Sequence, residues 1–299
     1  MTNSDADILK TKTYHKLIIG DSSYIPELKD ESMHLIITSP PYFNAPFDYS
    51  GVYSDYESYL KIMSKISKEL YRVLKNGRIF ALNIDDMLVD GVKYPITADF
   101  IKLLQSAGFR YRDRIIWKKP DGYLRISKRS GVLLQNPFPM YFYPDNLLES
   151  ILIFQKGKFD YKQIHKEEKK ESLIDIDTFK KEKWFSSLWE ITNVLPGSKL
   201  EKGIAAFPEE IPKRLITLFS YKNENVLDPF LGSGTTMKMA KSLGRNSVGI
   251  EINQDHQSII CQKCQFPNQR FINTDDYYFI IENRGDYNYV RDKSQDYWT

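Results

Sequence analysis

The chain has 299 residues, of which 41% are hydrophobic and 27% are charged, and its formal net charge is +3. This length suits one large domain or a domain with a substantial insertion. No stretch approaches the roughly 18–20 consecutive apolar residues of a membrane span, and the polar N-terminal segment has no apolar core, so we expect no secretory signal. The two cysteines, Cys261 and Cys264, fit a reducing compartment.

In the first half of the chain, short apolar runs alternate with amphipathic segments. Apolar residues recur at helical spacing from Tyr59 to Leu74, and Asn76-Gly77 supplies a stop signal. A second helical pattern ends at Gly108. The pattern predicts helices at 56–74 and 96–108, and strands at 15–21, 33–38, 78–84, 109–117 and 150–157.

The alternation breaks at residues 158–202, which are rich in Lys and Glu and weakly periodic, so we predict an insertion or a small subdomain there. It then resumes, with predicted strands at 225–230 and 247–252 and predicted helices at 211–219, 235–244 and 254–264. Such alternation predicts a doubly wound α/β fold, in which helices cover both faces of a mostly parallel sheet. The pattern gives no place to the aromatic tail, residues 267–299.

A glycine-containing loop follows the strand that ends near Asp228. Gly232 and Gly234 permit a tight turn and a close approach of the backbone to a ligand, and Thr235 can begin a helix. The loop lacks the signatures of P-loops and dinucleotide sites. Glu251 ends the next strand, where an acid can bind both hydroxyls of a ribose. These features favour a nucleoside with a cation and an amino acid, such as S-adenosylmethionine; a plain turn with a surface glutamate is the alternative.

The predicted strand at 33–38 ends in an unusual turn, which reads Ser-Pro-Pro-Tyr-Phe from Ser39 to Phe43. Two consecutive prolines remove backbone donors, so the turn presents carbonyl oxygens and a hydroxyl as acceptors. Tyr42 and Phe43 offer rings on which a planar base can stack. This combination suits the exocyclic amine of a nucleobase; a rigid strand-ending turn is the alternative. Because ligands bind at the carboxyl ends of parallel strands, we expect this turn and the glycine loop to share one cleft.

Two further features have weaker meaning. Basic residues are concentrated between 110 and 129, interleaved with aromatic rings, and they could follow a phosphate backbone or form a solvated strand edge. The pair Cys261 and Cys264 supplies at most two metal ligands, and the sequence has no second pair. We therefore predict no metal site.

Two segments together, TSPPY (38–42) and DPFLGSGTT (228–236), resemble the catalytic motif and the cofactor loop of the amino-group DNA methyltransferases. The order, with the catalytic motif first, resembles the beta subgroup. The resemblance covers roughly residues 15–160 and 200–265. It implies a seven-stranded sheet of the S-adenosylmethionine-dependent methyltransferase type in permuted order, with an inserted recognition region.

The resemblance also assigns roles to single residues. The catalytic motif is Ser39, Pro40, Pro41 and Tyr42. Among the cofactor residues, Asp21 would contact the adenine amine and Glu251 the ribose. Phe207 stands where the family more often has histidine. The cofactor residues are Asp21, Thr38, Phe207, Asp228, Phe230, Gly232, Ser233, Gly234, Thr235, Glu251 and Asn253. The predicted DNA contacts are Phe43, Arg125, Lys128 and Arg129.

The implied reaction is in-line methyl transfer from S-adenosylmethionine to the amine of a base extruded from duplex DNA, without metal or covalent intermediate. A neutral Ser39 favours N4 of cytosine over N6 of adenine. An RNA or protein amine methyltransferase and a non-catalytic DNA-binding module are the remaining alternatives. Double-stranded DNA is the expected partner, and a cognate restriction endonuclease of the same system is a candidate partner.

The resemblance further divides the chain into parts. We predict a catalytic half at 1–120, a DNA target-recognition region at 121–202 that includes a sheet strand near 150–157, a cofactor-binding half at 203–266, and a tail of unknown role at 267–299. We expect a monomer or homodimer with no membrane association, located in a prokaryotic-type cytoplasm and associated with the nucleoid.

Overall fold

The computed structural model describes residues 12–43, 53–89, 91–120, 135–140, 142, 147–192 and 207–284. Three of the predicted DNA contacts, Arg125, Lys128 and Arg129, lie outside these ranges. The strands of the described ranges are β1 (Thr13–Ile19), β2 (Met33–Thr38), β3 (Leu74–Ile84), β4 (Met87–Val89), β5 (Val92–Tyr94), β6 (Arg110–Lys118), β7 (Leu148–Gln155), β8 (Leu188–Glu190), β9 (Asn225–Asp228), β10 (Asn246–Glu251), β11 (Phe271–Asn273) and β12 (Tyr277–Asn283).

The helices alternate with the strands, as the apolar spacing predicts. They are α1 (Tyr56–Val73), α2 (Ile96–Ser106), α3 (Lys166–Glu171), α4 (Ile176–Lys181), α5 (Glu210–Phe219), α6 (Thr235–Ser242) and α7 (His256–Cys264), with one 3₁₀ turn at Tyr161–Gln163. None of these helices, which belong to the described ranges alone, has the length and apolar character needed to cross a bilayer.

Ten strands of the described ranges form one sheet, in the order β11-β12-β1-β10-β9-β2-β3-β7-β6-β8. The strands from β12 to β3 run parallel, whereas β7 pairs antiparallel with both β3 and β6. The predicted mostly parallel α/β sheet is therefore confirmed. The expected count of seven is wrong for the whole sheet, because β8, β11 and β12 extend a central set of seven from β1 to β6. These added strands come from the two segments whose sequence pattern we could not interpret.

Helices cover both faces of the sheet, which confirms the doubly wound arrangement. On one face, Tyr59 and Leu70 of α1 and Phe100 of α2 pack in a buried cluster with Ile36 of β2 and Leu82 of β3. On the other face, residues of α5, α6 and α7 form two further buried clusters against the alternate strand residues. The carboxyl ends of the five central parallel strands, β1, β10, β9, β2 and β3, consequently lie along one edge between two helical layers.

The described part of the insertion, residues 158–192, packs beside β6 rather than apart from the sheet. Strand β8 pairs parallel with β6, in register Trp117 with Trp189. The Trp117 indole N–H donates to the Ile191 carbonyl at 2.8 Å, and both tryptophans are buried. Buried aromatic rings with a satisfied polar atom make strong anchors, so Trp189 explains why a weakly periodic segment is held in place.

The tail also joins the sheet. Strand β12 runs parallel to β1, with Ile19 opposite Asn283, and β11 pairs antiparallel with β12. Phe279 is fully buried, and its ring stacks on Phe266 with centroids 4.1 Å apart. Residues up to Arg284 are thus part of the fold, and the strand ends beside the carboxyl end of β1.

Candidate active site

The turn after β2 and the glycine loop after β9 meet at the edge of the sheet. The Thr38 hydroxyl donates to Asp228 Oδ1 at 2.6 Å, although 190 residues separate them in the chain. From the loop that follows β1, the Ser22 hydroxyl donates to the Pro229 carbonyl at 2.5 Å. Our expectation that the two loops meet is confirmed, and three separate parts of the chain come together at the same edge of the sheet.

Asp228 holds this junction together. Its side chain is buried, and it accepts hydrogen bonds from the Thr38 hydroxyl, the Thr236 hydroxyl (2.6 Å) and the Phe230 N–H (3.1 Å). Burial raises the pKa of this carboxyl to about 6, against the opposing effect of the three donors. Because both oxygens are directed into the protein, the geometry gives Asp228 a role in joining the two loops.

The raised pKa predicts how the Asp228→Asn variant responds to pH. A carboxyl with a pKa near 3.8 when unfolded and about 6 when folded is charged in both states above pH 6, where burying the charge costs about 3 kcal/mol. Below about pH 4 the carboxyl is protonated in both states and this cost disappears. The asparagine side chain of the variant is neutral, so its burial does not carry the cost of desolvating a charge. Its oxygen can still accept from the Phe230 N–H.

We therefore expect Asp228→Asn to raise the free energy of unfolding by about 1–3 kcal/mol at pH 7.5. The gain should shrink toward zero at pH 4. Urea unfolding of both proteins at the two pH values measures this, with Asn225→Ala as a control for a buried polar change that carries no charge. An equal effect of Asp228→Asn at both pH values would contradict the raised pKa of Asp228.

The Glu251 carboxylate binds the backbone of the glycine loop. Gly232 and Gly234 have φ angles of +56° and +92°, in the left-handed region that favours glycine. The Gly232 N–H donates to Glu251 Oε2 at 2.8 Å, and the Asn253 N–H donates to Oε1 at 2.9 Å. A carboxylate oxygen can accept more than one hydrogen bond, so this buried acid can hold the loop and still accept from ligand hydroxyls.

Lys263, in α7, contacts this loop and was not identified from the sequence. Its ammonium donates to the Ser233 hydroxyl at 2.8 Å and to the Thr235 hydroxyl at 2.7 Å, so both predicted cofactor hydroxyls of this loop accept a hydrogen bond from the protein. Lys263 lies between Cys261 and Cys264, in a segment where the cysteines drew attention instead. Each of these hydroxyls keeps an O–H donor, so the loop can offer both backbone groups and hydroxyl donors to a ligand.

The cysteines pack behind the glycine loop. Both are buried, and a Cβ added to Gly234 would lie 3.1 Å from the Cys264 sulfur. Burial raises the pKa of Cys261 to about 11 and that of Cys264 to about 12. Thiols with such pKa values are not nucleophiles at neutral pH, because the thiolate is the reactive form.

The other predicted cofactor residues differ in their surroundings. Phe207 is buried among the residues that α5 covers, whereas Phe230 is half-buried against the opposite cluster. Asn253 is half-buried, and its amide oxygen accepts from the Asp255 N–H at 3.0 Å. Asp21 is exposed at the end of β1, and its carboxylate accepts from Ser23 through the backbone N–H at 2.9 Å and the hydroxyl at 2.5 Å.

The tail anchors the loop that carries Asp21. Arg284 forms a two-pronged ion pair with Glu27, at 2.8 Å for both nitrogen–oxygen contacts, and it also donates to the Asp21 carbonyl. Its backbone N–H donates to the Ile19 carbonyl at 3.2 Å. A side chain at Gly20 would collide with the Arg284 stem. Arg284 of the tail thereby fixes the backbone of one predicted cofactor loop.

This anchoring predicts that Arg284→Ala weakens S-adenosylmethionine binding by about 5- to 20-fold, because a paired charged hydrogen bond contributes about 1.5–3 kcal/mol and the loop loses its support. Titration calorimetry measures the affinity. The double exchange Glu27→Arg with Arg284→Glu should recover part of the loss, since it restores the ion pair in reverse. Unchanged affinity in Arg284→Ala would show that the loop does not depend on the tail.

The turn from Ser39 to Tyr42 is supported by α1. The Tyr59 hydroxyl, fully buried, donates to the Pro41 carbonyl at 3.1 Å. Pro40 is buried, whereas Ser39 and Tyr42 are half-buried. The α1 contact therefore supports the inner side of the turn, and Ser39, Pro41 and Tyr42 are partly open to solvent.

Phe43 is the one predicted DNA contact that lies within the described residues. Its ring is only 4% exposed and packs against the rings of Tyr56, Tyr59 and Tyr94, with centroids 4.9–5.9 Å apart. The expectation that Phe43 contacts DNA is corrected by this placement, because a ring already surrounded by aromatic neighbours has no face for a base. Tyr42 alone keeps the predicted stacking role.

A polar network that the sequence did not reveal lies beside Tyr42. Glu149, at the start of β7, accepts from the Asn83 amide at 2.7 Å and pairs with Lys119 at 2.6 Å, while the Tyr42 hydroxyl lies 3.5 Å from the same carboxylate. Desolvation and the carboxylates of Glu149 and Asp85 raise the pKa of Tyr42 well above its ordinary value, so the phenol remains protonated. No single segment carries this constellation, because Asn83 is in β3, Glu149 is in β7 and Lys119 directly follows β6.

The basic strand β6 uses several of its cations within the protein. Arg110 donates to the Gln155 side chain, Arg114 donates to the Ser150 hydroxyl at 2.7 Å, and Lys118 pairs with Glu190 at 3.2 Å. The guanidinium of Arg112 lies 5.7 Å from the centroid of the Phe219 ring. These contacts favour the solvated strand over a phosphate track for residues 110–118.

Comparison with known proteins places the fold and the site in context. A family model for N6 and N4 DNA methylases matches residues 33–262. A Type II methyltransferase of Methanocaldococcus jannaschii, M.MjaI, is 35% identical over 293 residues, which cover 86% of this chain and 93% of that protein. A second relative, M.MthZI of Methanothermobacter thermautotrophicus, is 30% identical over 83% of this chain and 76% of its own length.

Solved structures show the same architecture. The Thermus thermophilus protein TTHA0409, crystallised with S-adenosyl-L-methionine, has a TM-score of 0.68 and 25% identity, with 89% of this chain and 99% of that chain covered. The PvuII DNA methyltransferase, cytosine-N4-specific, has a TM-score of 0.63 and 18% identity over 89% of this chain and 90% of its own, which shows the fold alone. The chain therefore belongs to the DNA methylase family of amino-group (N6 and N4) methyltransferases.

Proposed function

We propose that this DNA amino-methyltransferase transfers the methyl group of S-adenosylmethionine to N4 of cytosine in double-stranded DNA. The observation that carries the proposal is the 2.6 Å bond between Thr38 and Asp228, which joins the acceptor-rich turn to the glycine loop. A methyl donor on the glycine loop and an amine on the turn are then within reach of each other. Positioning of this kind is the main contribution that such a reaction needs.

The cofactor in this proposal lies along three loops. Glu251 accepts from the ribose hydroxyls while its oxygens continue to hold Gly232 and Asn253. The exposed carboxylate of Asp21 faces the adenine amine, and backbone groups of the glycine loop contact the amino-acid portion. Phe207 and Phe230, on opposite faces of the sheet, bound the cleft. The described residues thus supply acceptors for hydroxyls and amines.

The target base enters from the DNA side after it leaves the duplex, which costs a few kcal/mol in lost stacking. Tyr42 offers its ring to the base, and the Ser39 hydroxyl and the Pro40 carbonyl accept from the exocyclic amine. The nitrogen lone pair forms the new N–C bond as the S–C bond breaks, and S-adenosylhomocysteine is released. The methylated nitrogen, then cationic, loses one proton to solvent water.

The choice of cytosine over adenine is supported by the first position of the motif. The neutral Ser39 stands where other members carry Asp or Asn, and the serine form resembles the N4-cytosine members. Adenine N6 is the second candidate, because both amines present two hydrogens to the same acceptors. The contacts around the base, rather than the motif itself, decide between them.

The test is incubation of the purified protein with methyl-labelled S-adenosylmethionine and mixed plasmid DNA, followed by digestion and mass spectrometry of the nucleosides. N4-methylcytosine is the expected product, and sequencing of modified sites then gives the recognition sequence. Detection of N6-methyladenine would show that adenine N6, the second candidate, is the target. Label in RNA or protein, with none in DNA, would refute DNA as the substrate.

Double-stranded DNA is the macromolecular partner in this proposal, and residues 121–202 are proposed to read its sequence. We further propose that a restriction endonuclease recognises the same site, since the relatives named above are Type II methyltransferases. Digestion of methylated and unmethylated plasmid by candidate nucleases tests this pairing. Cleavage that ignores the methylation would contradict it.

A further inference from the structure

Asn83 has a buried acceptor atom without a described donor. The side chain is 4% exposed, and its amide N–H donates to Glu149 Oε2 at 2.7 Å. Its Oδ1, buried as well, has no hydrogen-bond partner among the described residues. Buried side-chain oxygens are nearly always paired in folded proteins, so an unpaired one beside the Ser39–Tyr42 turn is a candidate acceptor for a ligand.

The orientation of this amide is fixed by its neighbours. An ionised carboxylate can only accept, so the Asn83 nitrogen must face Glu149 and the oxygen must face away from it. Glu149 is itself held by Lys119, whose ammonium lies 2.6 Å from the other carboxylate oxygen. The network therefore presents Oδ1 as an acceptor in a set direction.

Asn83 also lies next to the catalytic turn in the sheet. Thr38 pairs with Leu82 in the parallel ladder of β2 and β3. The next residues of the two segments, Ser39 and Asn83, are therefore neighbours. Neighbouring strands are about 4.8 Å apart. The turn and Asn83 thus stand side by side at the carboxyl ends of two strands, where substrate is expected.

We propose that Asn83 is a further catalytic residue, whose Oδ1 accepts one hydrogen of the target amine while the Ser39 turn accepts the other. Two acceptors that bind both hydrogens direct the nitrogen lone pair toward the methyl group. Glu149 and Lys119 are positioning residues, which act through Asn83. This inference rests on the proposed function, because it requires an exocyclic amine in the cleft.

The experiment pairs a protein change with a base change. The parent and Asn83→Ala are titrated, with S-adenosylhomocysteine present, against duplexes that carry at the target position either cytosine or pyrimidin-2-one, which lacks the amine. If the product proves to be N6-methyladenine, adenine and purine replace them. The parent should prefer the amine-bearing base, and Asn83→Ala should reduce that preference at least about fivefold, the equivalent of one hydrogen bond.

Turnover supplies the second readout. Asn83→Ala should lower kcat at least about 30-fold, with cofactor affinity within about twofold of the parent. Adding Glu149→Gln to Asn83→Ala should cause little further loss, since both act on one contact. Asn225→Ala is the matched control, because Asn225 is a buried asparagine at the amino end of β9, far from the cleft, and it should leave the base preference unchanged.

The outcomes separate this inference from the function on which it rests. A parent protein that methylates no amine removes the proposed function. An active parent, together with an Asn83→Ala protein of full kcat and unchanged base preference, overturns the role of Asn83. If Asn83→Ala fails to fold, Asn83→Ser, which retains a polar group but not the amide oxygen, carries the same comparison.

Discussion

Replacing Tyr42 by alanine should reduce methyl transfer by about 100-fold while cofactor affinity stays within about twofold of the parent. Stacking of a base on an aromatic ring contributes about 1–3 kcal/mol, and the ring also defines where the amine stops relative to the methyl group. The structure also explains why another ring should not compensate for the loss of Tyr42. With Phe43 buried in the core, no neighbouring ring of the turn can replace Tyr42.

Ser39→Ala tests the acceptor half of the same turn. We expect it to lower kcat by about 10- to 100-fold, with little change in cofactor affinity, because a hydrogen bond that holds the amine matters most in the transition state. Single-turnover assays with saturating DNA separate this loss of chemistry from weaker DNA binding.

A matched control distinguishes these losses from general damage. Tyr71 packs against Phe109 and Lys156, near the opposite end of β3, so Tyr71→Ala removes a similar ring without touching the cleft. It should lower the melting temperature and retain most of the activity below that temperature. Full activity in both Tyr42→Ala and Ser39→Ala would remove the catalytic assignment of the turn.

The elements built on strong periodicity were predictable, because their signal is local. The predicted strand at 33–38 coincides with β2, and α1 differs by one residue from the predicted 56–74. The loops at the carboxyl ends of β2 and β9 were predictable for a similar reason: proline pairs and glycine pairs restrict the backbone directly. Their meeting follows from a parallel sheet, in which the ends of adjacent strands share one edge.

What the sequence did not predict depends on contacts between distant segments. Strands β8 and β11 have three residues each, too few for a period of two to be visible, and they are held by pairing with β6 and β12. The network of Asn83, Lys119 and Glu149 is assembled from three segments, and no spacing rule joins residues so far apart. Phe43 follows Tyr42 directly, yet one ring is buried in the core and the other is partly open.

The same reasoning applies to Asp228. The resemblance assigned Asp228 to the cofactor, whereas the structure surrounds its carboxylate with three donors from the protein itself. Sequence alone does not distinguish an acid that faces a ligand from one that joins two loops, because both occur at strand ends. Burial and hydrogen-bond partners make the distinction here. They favour Glu251 over Asp228 as the acid that contacts a ligand.

Glu251→Gln should weaken S-adenosylmethionine binding by at least about 30-fold. The carboxylate accepts from Gly232 N–H and Asn253 N–H on separate oxygens, and glutamine can offer only one acceptor oxygen. One backbone N–H would then face an amide NH₂ in a buried place, which costs about 1–3 kcal/mol and disturbs the glycine loop. Loss of the charged acceptor for the ribose hydroxyls adds to this.

Two comparisons isolate the ribose contact from the loop effect. Glu282→Gln is the control, since Glu282 is on the neighbouring strand β12 and pairs with Lys16 outside the cleft, so affinity should not change. S-Adenosylhomocysteine without its 2′-hydroxyl should bind the parent more weakly than the intact ligand does. In Glu251→Gln that difference should largely disappear, because the acceptor is altered. A difference that stays the same would mean that Glu251 shapes the glycine loop alone and that another residue binds the ribose.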